Sequence, residues 1–291
     1  MPIKEIPTNS LDDFWNVLSP IGSFIGEMHN PIFRGQGDST WPLTPTALRE
    51  DIISKYCNAC RKNRYTDHIV SFEHALLSDF LYYADEMGLM IPRDSPEFRK
   101  SMDFFEFTDR YGEDGVGWPS EEYFSFIALA QHHGIPTRLL DWTRSPIVAG
   151  YFSASQVLNT EQAPENLSVW VVDTDELRHL NGALELVRLP GSTSQNLAAQ
   201  KGVFLIHRQP NCMGRSTVFS SEGLKNSVNN LFEDSNDCTA YKVTLPSHFA
   251  GELLFRCHKF GISAATLFPD FDGAAKAALE FKLAKKLSGK L

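Results

Sequence analysis

Apolar residues along this chain recur at two spacings, and the places where one spacing gives way to the other mark the expected elements. Leu11, Phe14, Trp15 and Leu18 stand three or four apart behind Ser10, which predicts a capped helix ended by Pro20 and Gly22. Pro31-Ile32-Phe33-Arg34 reads as a short extended run. It is expected to break at Gly35-Gln36-Gly37-Asp38, a turn with accessible backbone amides. Ile69, Phe72, Leu76, Leu77, Phe80 and Leu81 form one apolar face and predict a helix over 67–86. Residues 87–118, with Pro92, Pro96, Gly112, Gly115 and Gly117, are expected to be irregular.

A further helix is predicted from Ser120. It has Glu121 and Glu122 in its first turn and Gly134 as its C-terminal stop. Thr137–Leu140 then reads as a strand and Asp141–Arg144 as a turn. Ser145-Pro146 reads as a helix start, a hydroxyl cap followed by proline. Later, 167–172, 202–206 and 241–245 read as strands, and helices are expected over 247–259 and 271–287. No repeat or linker interrupts the chain. The expectation is one mixed α+β domain over 1–291, with a mainly helical N-terminal half. The C-terminal half carries a mainly antiparallel sheet flanked by helices.

Composition narrows the classes. The chain has 291 residues, 42% of them hydrophobic, and a net charge of -9, so it can bury a core but does not suit broad phosphate-backbone binding. The dense basic run Arg61-Lys62-Asn63-Arg64 reads as a solvated face. Nothing at the N-terminus resembles an export signal, and no window supplies the roughly 18 apolar residues of a membrane span. A cytoplasmic protein without a membrane partner is expected. Cys57-x-x-Cys60 has the spacing of half a zinc site. Cys212, Cys238 and Cys257 supply no second close pair, so reduced thiols and no metal are expected.

The candidate chemistry is concentrated in two places. Arg34 carries a fork of donors matched to phosphate or carboxylate and sits beside Gly35 and Gly37, which would admit a ligand to the backbone. An internal salt bridge is the plainer role for it. The segment from Gln131 to Pro146 crowds two His, two Arg, an Asp, a Trp, two Thr and a Ser into a helix end, a short strand and a helix start. Within it Asp141 could pair with Arg138, and Ser145 could simply cap. No G-x-S-x-G, G-x-x-x-x-G-K-[ST] or H-E-x-x-H signature is present, and adjacent His132 and His133 diverge on a helix.

Phe33-Arg34-Gly35-Gln36, then Gln131 through Thr143, then Ser145-Pro146, resemble the FRG domain, a bacterial and phage family named for its Phe-Arg-Gly motif. Gln200-x-Gly202-x-Phe204 and Leu267-Phe268-Pro269-Asp270-x-Asp272-Gly273 look like later parts of the same pattern, extending the resemblance over about residues 30–275. A second likeness is to mono-ADP-ribosyltransferases of the Arg–Ser–Glu kind, which implies an ADP-ribosyltransferase-like arrangement and NAD as substrate. Arg34-Gly35 looks like their first element and Thr143-Arg144-Ser145 like their second. At the third, Gln200 stands where an acid would be expected, leaving Asp141, Glu222, Asp270 and Asp272 as substitutes.

On that resemblance the catalytic candidates are Arg34, Asp141, Thr143, Ser145 and Gln200. The cofactor-binding candidates are Arg34, Gly35, Gln36, Gln131, His132, Arg138 and Trp142. Arg34 would hold pyrophosphate, Trp142 would stack on a ring, and Thr143 and Ser145 would support the ribose. The implied ligand is a nucleotide-type small molecule, with a protein or nucleic-acid acceptor and a toxin or phage-defence setting. The alternatives are a non-catalytic binding module and a nucleotide hydrolase or nuclease with His132 or His133 as base.

Overall fold

The computed structural model describes residues 3–56, 65–112, 115–180, 182–191, 195–209 and 227–287, without the side chains of 65–68, 195 and 227. Cys57, Cys60, Arg61–Arg64, Cys212 and Glu222 lie outside the described residues.

Seven strands form one sheet: β1 (Ile3–Pro7), β2 (Pro31–Gln36), β3 (Leu139–Thr143), β4 (Asn166–Asp173), β5 (Leu184–Val187), β6 (Gly202–His207) and β7 (Ala240–Pro246). Their order is β1-β7-β4-β2-β3-β6-β5. Among the described residues only the edge pair β1/β7 is parallel. The helices are α1 (Leu11–Val17), α2 (Glu50–Tyr56), α3 (Tyr65–Glu86), α4 (Pro96–Ser101), α5 (Phe104–Tyr111), α6 (Phe124–His132), α7 (Pro146–Leu158), α8 (Gln195–Ala199), α9 (Ser227–Glu233), α10 (Ala250–Lys259), α11 (Ala264–Leu267) and α12 (Phe271–Leu287). The result is a mixed α+β domain, as the hydrophobic pattern implies, with a largely antiparallel sheet flanked by helices.

The halves are less segregated than expected, because the first half supplies β1, β2 and β3, the last two at the centre of the sheet. Residues 87–118 contain α4 and α5, started by Ser95, which accepts from the Phe98 amide, and by Asp103, which accepts from Phe105 and Glu106. The proline at 96 is a helix opener, not a breaker. The expected turn at Asp141–Arg144 is mostly strand, since β3 runs on to Thr143 against β6. Likewise β2 continues through Gly35 and Gln36, paired with Val169 and Ser168 of β4.

Register divides the core. Phe33, Val169, Val171, Val243 and Leu245 join α7 and α10 in one cluster. Leu139, Phe204 and Ile206 join α3, α5 and α6 in a second. Strand alternation and the pairing Phe33↔Thr143 place both on one face of the sheet. Leu140, Trp142, Trp170 and Val172 pack in a third cluster on the other face. Strand β4 is covered on both sides and is therefore apolar almost throughout, where β3 leaves Asp141 exposed.

Candidate functional site

The sheet is nearly split at its centre. β2 pairs with β4 at six positions and β3 pairs with β6 at five, but β2 meets β3 at the single bridge Phe33↔Thr143. Beyond it the two strands make no ladder. Arg34 occupies the gap, and its Nη1 donates to the Asp141 carbonyl at 2.6 Å. A guanidinium thus satisfies a carbonyl that a neighbouring strand would otherwise serve.

A cavity of about 320 Å3 opens over this split, between the two clusters on that face. Phe33, Arg34, Asp141 and Thr143 form its floor, together with Gly202 and Phe204 of β6. α6 contributes Gln131 and His132, α7 contributes Phe152 and Gln156, and Asn196, Gln200 and Phe268 complete the wall. The cavity therefore combines aromatic walls with one cation, one carboxylate, several amides and an imidazole, the mixture that suits a small ligand with a ring and charged groups.

Arg34 is the most constrained of these. Its side chain is 15% exposed, its Nε is buried without a hydrogen-bond partner, and Asp141 Oδ2 lies 4.0 Å from Nη1. Burial lowers its pKa; Asp141 opposes that shift and Arg49 adds to it. A guanidinium with a buried N–H unused has donor capacity for an anion. Asp141 projects from the floor with its side chain 69% exposed, accepting from Gln131 Nε2 at 2.7 Å. His132 is shifted below its usual pKa, first by burial and then by His133, with Asp270 opposing, which favours its neutral form. Its Nε2 lies 3.3 Å from Asn196 Nδ2.

Several residues expected in the site serve the scaffold. Arg138 does not pair with Asp141. It lies buried on Glu73, with Nε at 2.6 Å and Nη2 at 2.8 Å from the carboxylate oxygens, while Trp118 Nε1 donates to the same group at 2.8 Å. Gln36 is buried, accepting from Trp170 Nε1 at 2.6 Å and donating to the Pro42 carbonyl at 3.2 Å. Trp142 packs in the cluster on the far face and also borders the cavity, with a buried Nε1 that has no hydrogen-bond partner. Ser145 starts α7 without using its hydroxyl as a cap; its amide instead donates to Thr143 Oγ1 at 3.1 Å.

Gly35 and Gly37 make room for α7. A Cβ on Gly35 would stand 2.0 Å from the Ala149 carbonyl oxygen, and one on Gly37 would stand 2.7 Å from Gln156 Cβ. Thr143 Oγ1 donates to the Gln200 carbonyl at 2.7 Å, and Gln200 Nε2 donates to the Leu267 carbonyl at 3.2 Å. Asp270 is exposed and accepts from the Gly273 amide.

Sequence reading missed Asn196, Gln156 and Phe268 as wall residues. Gln156 follows Phe152 by four positions on α7, a spacing that carried the signal. Asn196 carried none. Among the described residues, no group of three or more His, Cys, Asp or Glu could hold a metal, and no helix is long and apolar enough to cross a membrane.

A family model described as the FRG domain matches residues 29–162, the stretch from just before β2 to just past α7. It includes Arg34, Gln131, His132 and Asp141, and it ends before α8, β6 and Phe268. No curated protein matches the chain, and no solved structure matches it.

Proposed function

The chain carries an FRG domain from β2 to α7, and we propose that the cavity framed by that domain binds NAD and cleaves its nicotinamide–ribose bond. The observation that supports this most is Arg34, set in the split between β2 and β3 with a buried N–H unused and Asp141, the one carboxylate lining the cavity among the described residues, 4.0 Å away. In this reading Arg34 receives the pyrophosphate. Cleavage develops positive charge on the ribose, and Asp141 stabilises it, taking the role that Gln200 lacks the charge to perform. The nicotinamide lies among the aromatic and amide groups of the wall.

Water or a protein or nucleic-acid nucleophile then takes the ribosyl group, as in a glycohydrolase or an ADP-ribosyltransferase. Losing one such electrostatic contribution costs about 3–4 kcal/mol of barrier, or roughly 10²–10³ in rate.

The test incubates wild type, Arg34→Lys and Asp141→Asn with labelled NAD and lysate, following nicotinamide release and label transfer. Release by wild type, reduced roughly 10²–10³-fold in Asp141→Asn, supports the reading. Transfer of label identifies the acceptor, and release without transfer indicates a glycohydrolase. If expression arrests growth and Asp141→Asn relieves it, the activity is that of a toxin or defence effector. Equal release by all three proteins, or none from wild type, overturns the reading.

A second reading rests on neutral His132 in the same wall, a base for hydrolysing another nucleotide. It predicts turnover lost in His132→Gln with no nicotinamide produced. Binding of a nucleotide without any turnover would mark a binding module.

A further inference from the structure

We propose that Thr137, which does not line the cavity, is a positioning residue that fixes Asp141 through the side-chain amide of Gln131; its catalytic consequence rests on the reading of Asp141 given above. Thr137 is buried at the end of the turn that leads from α6 into β3. Its carbonyl accepts from the Ala47 amide at 3.0 Å, and its Oγ1 accepts from the Leu139 amide at 3.2 Å, so the residue is held on two sides. A hydroxyl has one proton to give, and here it goes to Gln131 Oε1.

That donation settles which way the amide points. With Oε1 turned to Thr137, the Gln131 NH2 group faces Asp141 and donates to Oδ1 at 2.7 Å. Turned over, the amide would set its oxygen against a carboxylate, two acceptors with no proton between them. The chain therefore runs one way, from the Leu139 amide through Thr137 and Gln131 to Asp141, each bond polarising the next. Its effect is to occupy one carboxylate oxygen with a donor. The other, Oδ2, lies 4.0 Å from Arg34 Nη1.

The whole relay lies within eleven residues. Gly134, at a φ of +88°, reverses the chain after α6 and brings Gln131 back over β3. Asp141 thus acquires a fixed orientation although its side chain is the most exposed on its strand. A carboxylate in that position without such a partner would sample several rotamers.

The test compares full-length wild type, Thr137→Val and Thr137→Ser. The first readout is the side-chain amide resonances of Gln131 in 15N-edited spectra. Wild type and Thr137→Ser should show slowly exchanging amide protons with nuclear Overhauser contacts to the Asp141 methylene, and Thr137→Val should lose both. The second readout is nicotinamide release, where Thr137→Val should lower kcat about 10- to 100-fold with little change in KM, and Thr137→Ser should restore it.

Retention of the wild-type amide signature in Thr137→Val overturns the proposal whatever the activity. Loss of the signature with turnover unchanged overturns the positioning role. Where Thr137→Val does not fold, the wild-type contacts decide: amide protons near Thr137 instead of Asp141 overturn it. Because the spectra need no substrate, failure of NAD turnover does not obscure the outcome.

Discussion

Replacing Glu73 with glutamine would strip the counter-charge from a buried guanidinium. Glu73 and Arg138 are 4% and 3% exposed at their side chains, and the carboxylate accepts three donors at 2.6 to 2.8 Å: Arg138 Nε, Arg138 Nη2 and Trp118 Nε1. An amide offers one acceptor oxygen, so its NH2 must face a guanidinium or indole N–H, donor against donor. Breaking one side of a buried pair costs about 3–5 kcal/mol, most of it the charge left uncompensated. That loss is expected for Glu73→Gln in equilibrium urea unfolding.

The double replacement Glu73→Leu with Arg138→Met removes both charges and should recover part of the loss. Recovery stays incomplete because the Trp118 indole N–H keeps no acceptor. A cost below about 1 kcal/mol for Glu73→Gln, or a double variant no more stable than the single, would refute the reasoning. A further single variant tests the assignment of Arg138. Folded Arg138→Met should bind NAD as wild type does, and a selective loss of binding would return Arg138 to the site.

Other outcomes follow from single contacts. Gly35→Ala sets a methyl 2.0 Å from the Ala149 carbonyl oxygen, which belongs to a helix backbone and cannot yield locally, so α7 must shift. A loss of about 1–3 kcal/mol or more is expected, read as a lower Tm, and an unchanged Tm would count against the packing. His207 is held down to about 4 by burial and by Arg138 beside it, against an ordinary value of 6.5. Between those values the unfolded chain binds the extra proton, so stability is full above pH 6.5 and falls as pH drops towards 4. The loss is about 3 kcal/mol, and His207→Asn should flatten it in urea titrations across that window.

Local signals were legible where one residue acts on its own neighbours. Ser10 accepts from the Asp13 amide as a cap should, Pro146 opens α7, and Gly134 takes the positive φ that ends α6. The apolar runs within β4 and β6, and the alternation of β7, marked those segments as strands. β1 was missed, because Lys4 and Glu5 give it the polarity of a loop and its place depends on pairing with β7. The start of α5 was missed too: the prolines and glycines of 87–118 read as an irregular stretch, while the Asp103 cap was the better guide.

By itself the sequence concentrated rigid donors, a carboxylate and turn residues at Arg34 and in the Gln131–Asp141 segment, and the tertiary structure brings Arg34, Gln131 and Asp141 to one cavity. The sequence did not determine which side chains would meet. Arg138 and Asp141 are three apart in sequence, but β3 sends Arg138 to Glu73, 65 residues away, and leaves Asp141 facing Arg34 across the split. Gly35 borders the cavity and is also the seat of a helix, a packing role that its sequence context did not announce. Partners of that kind are fixed by strand register and by the single bridge between β2 and β3. Those are properties of the assembled sheet, and no local pattern encodes them, because a shift of one residue in register would turn every side chain to the other face.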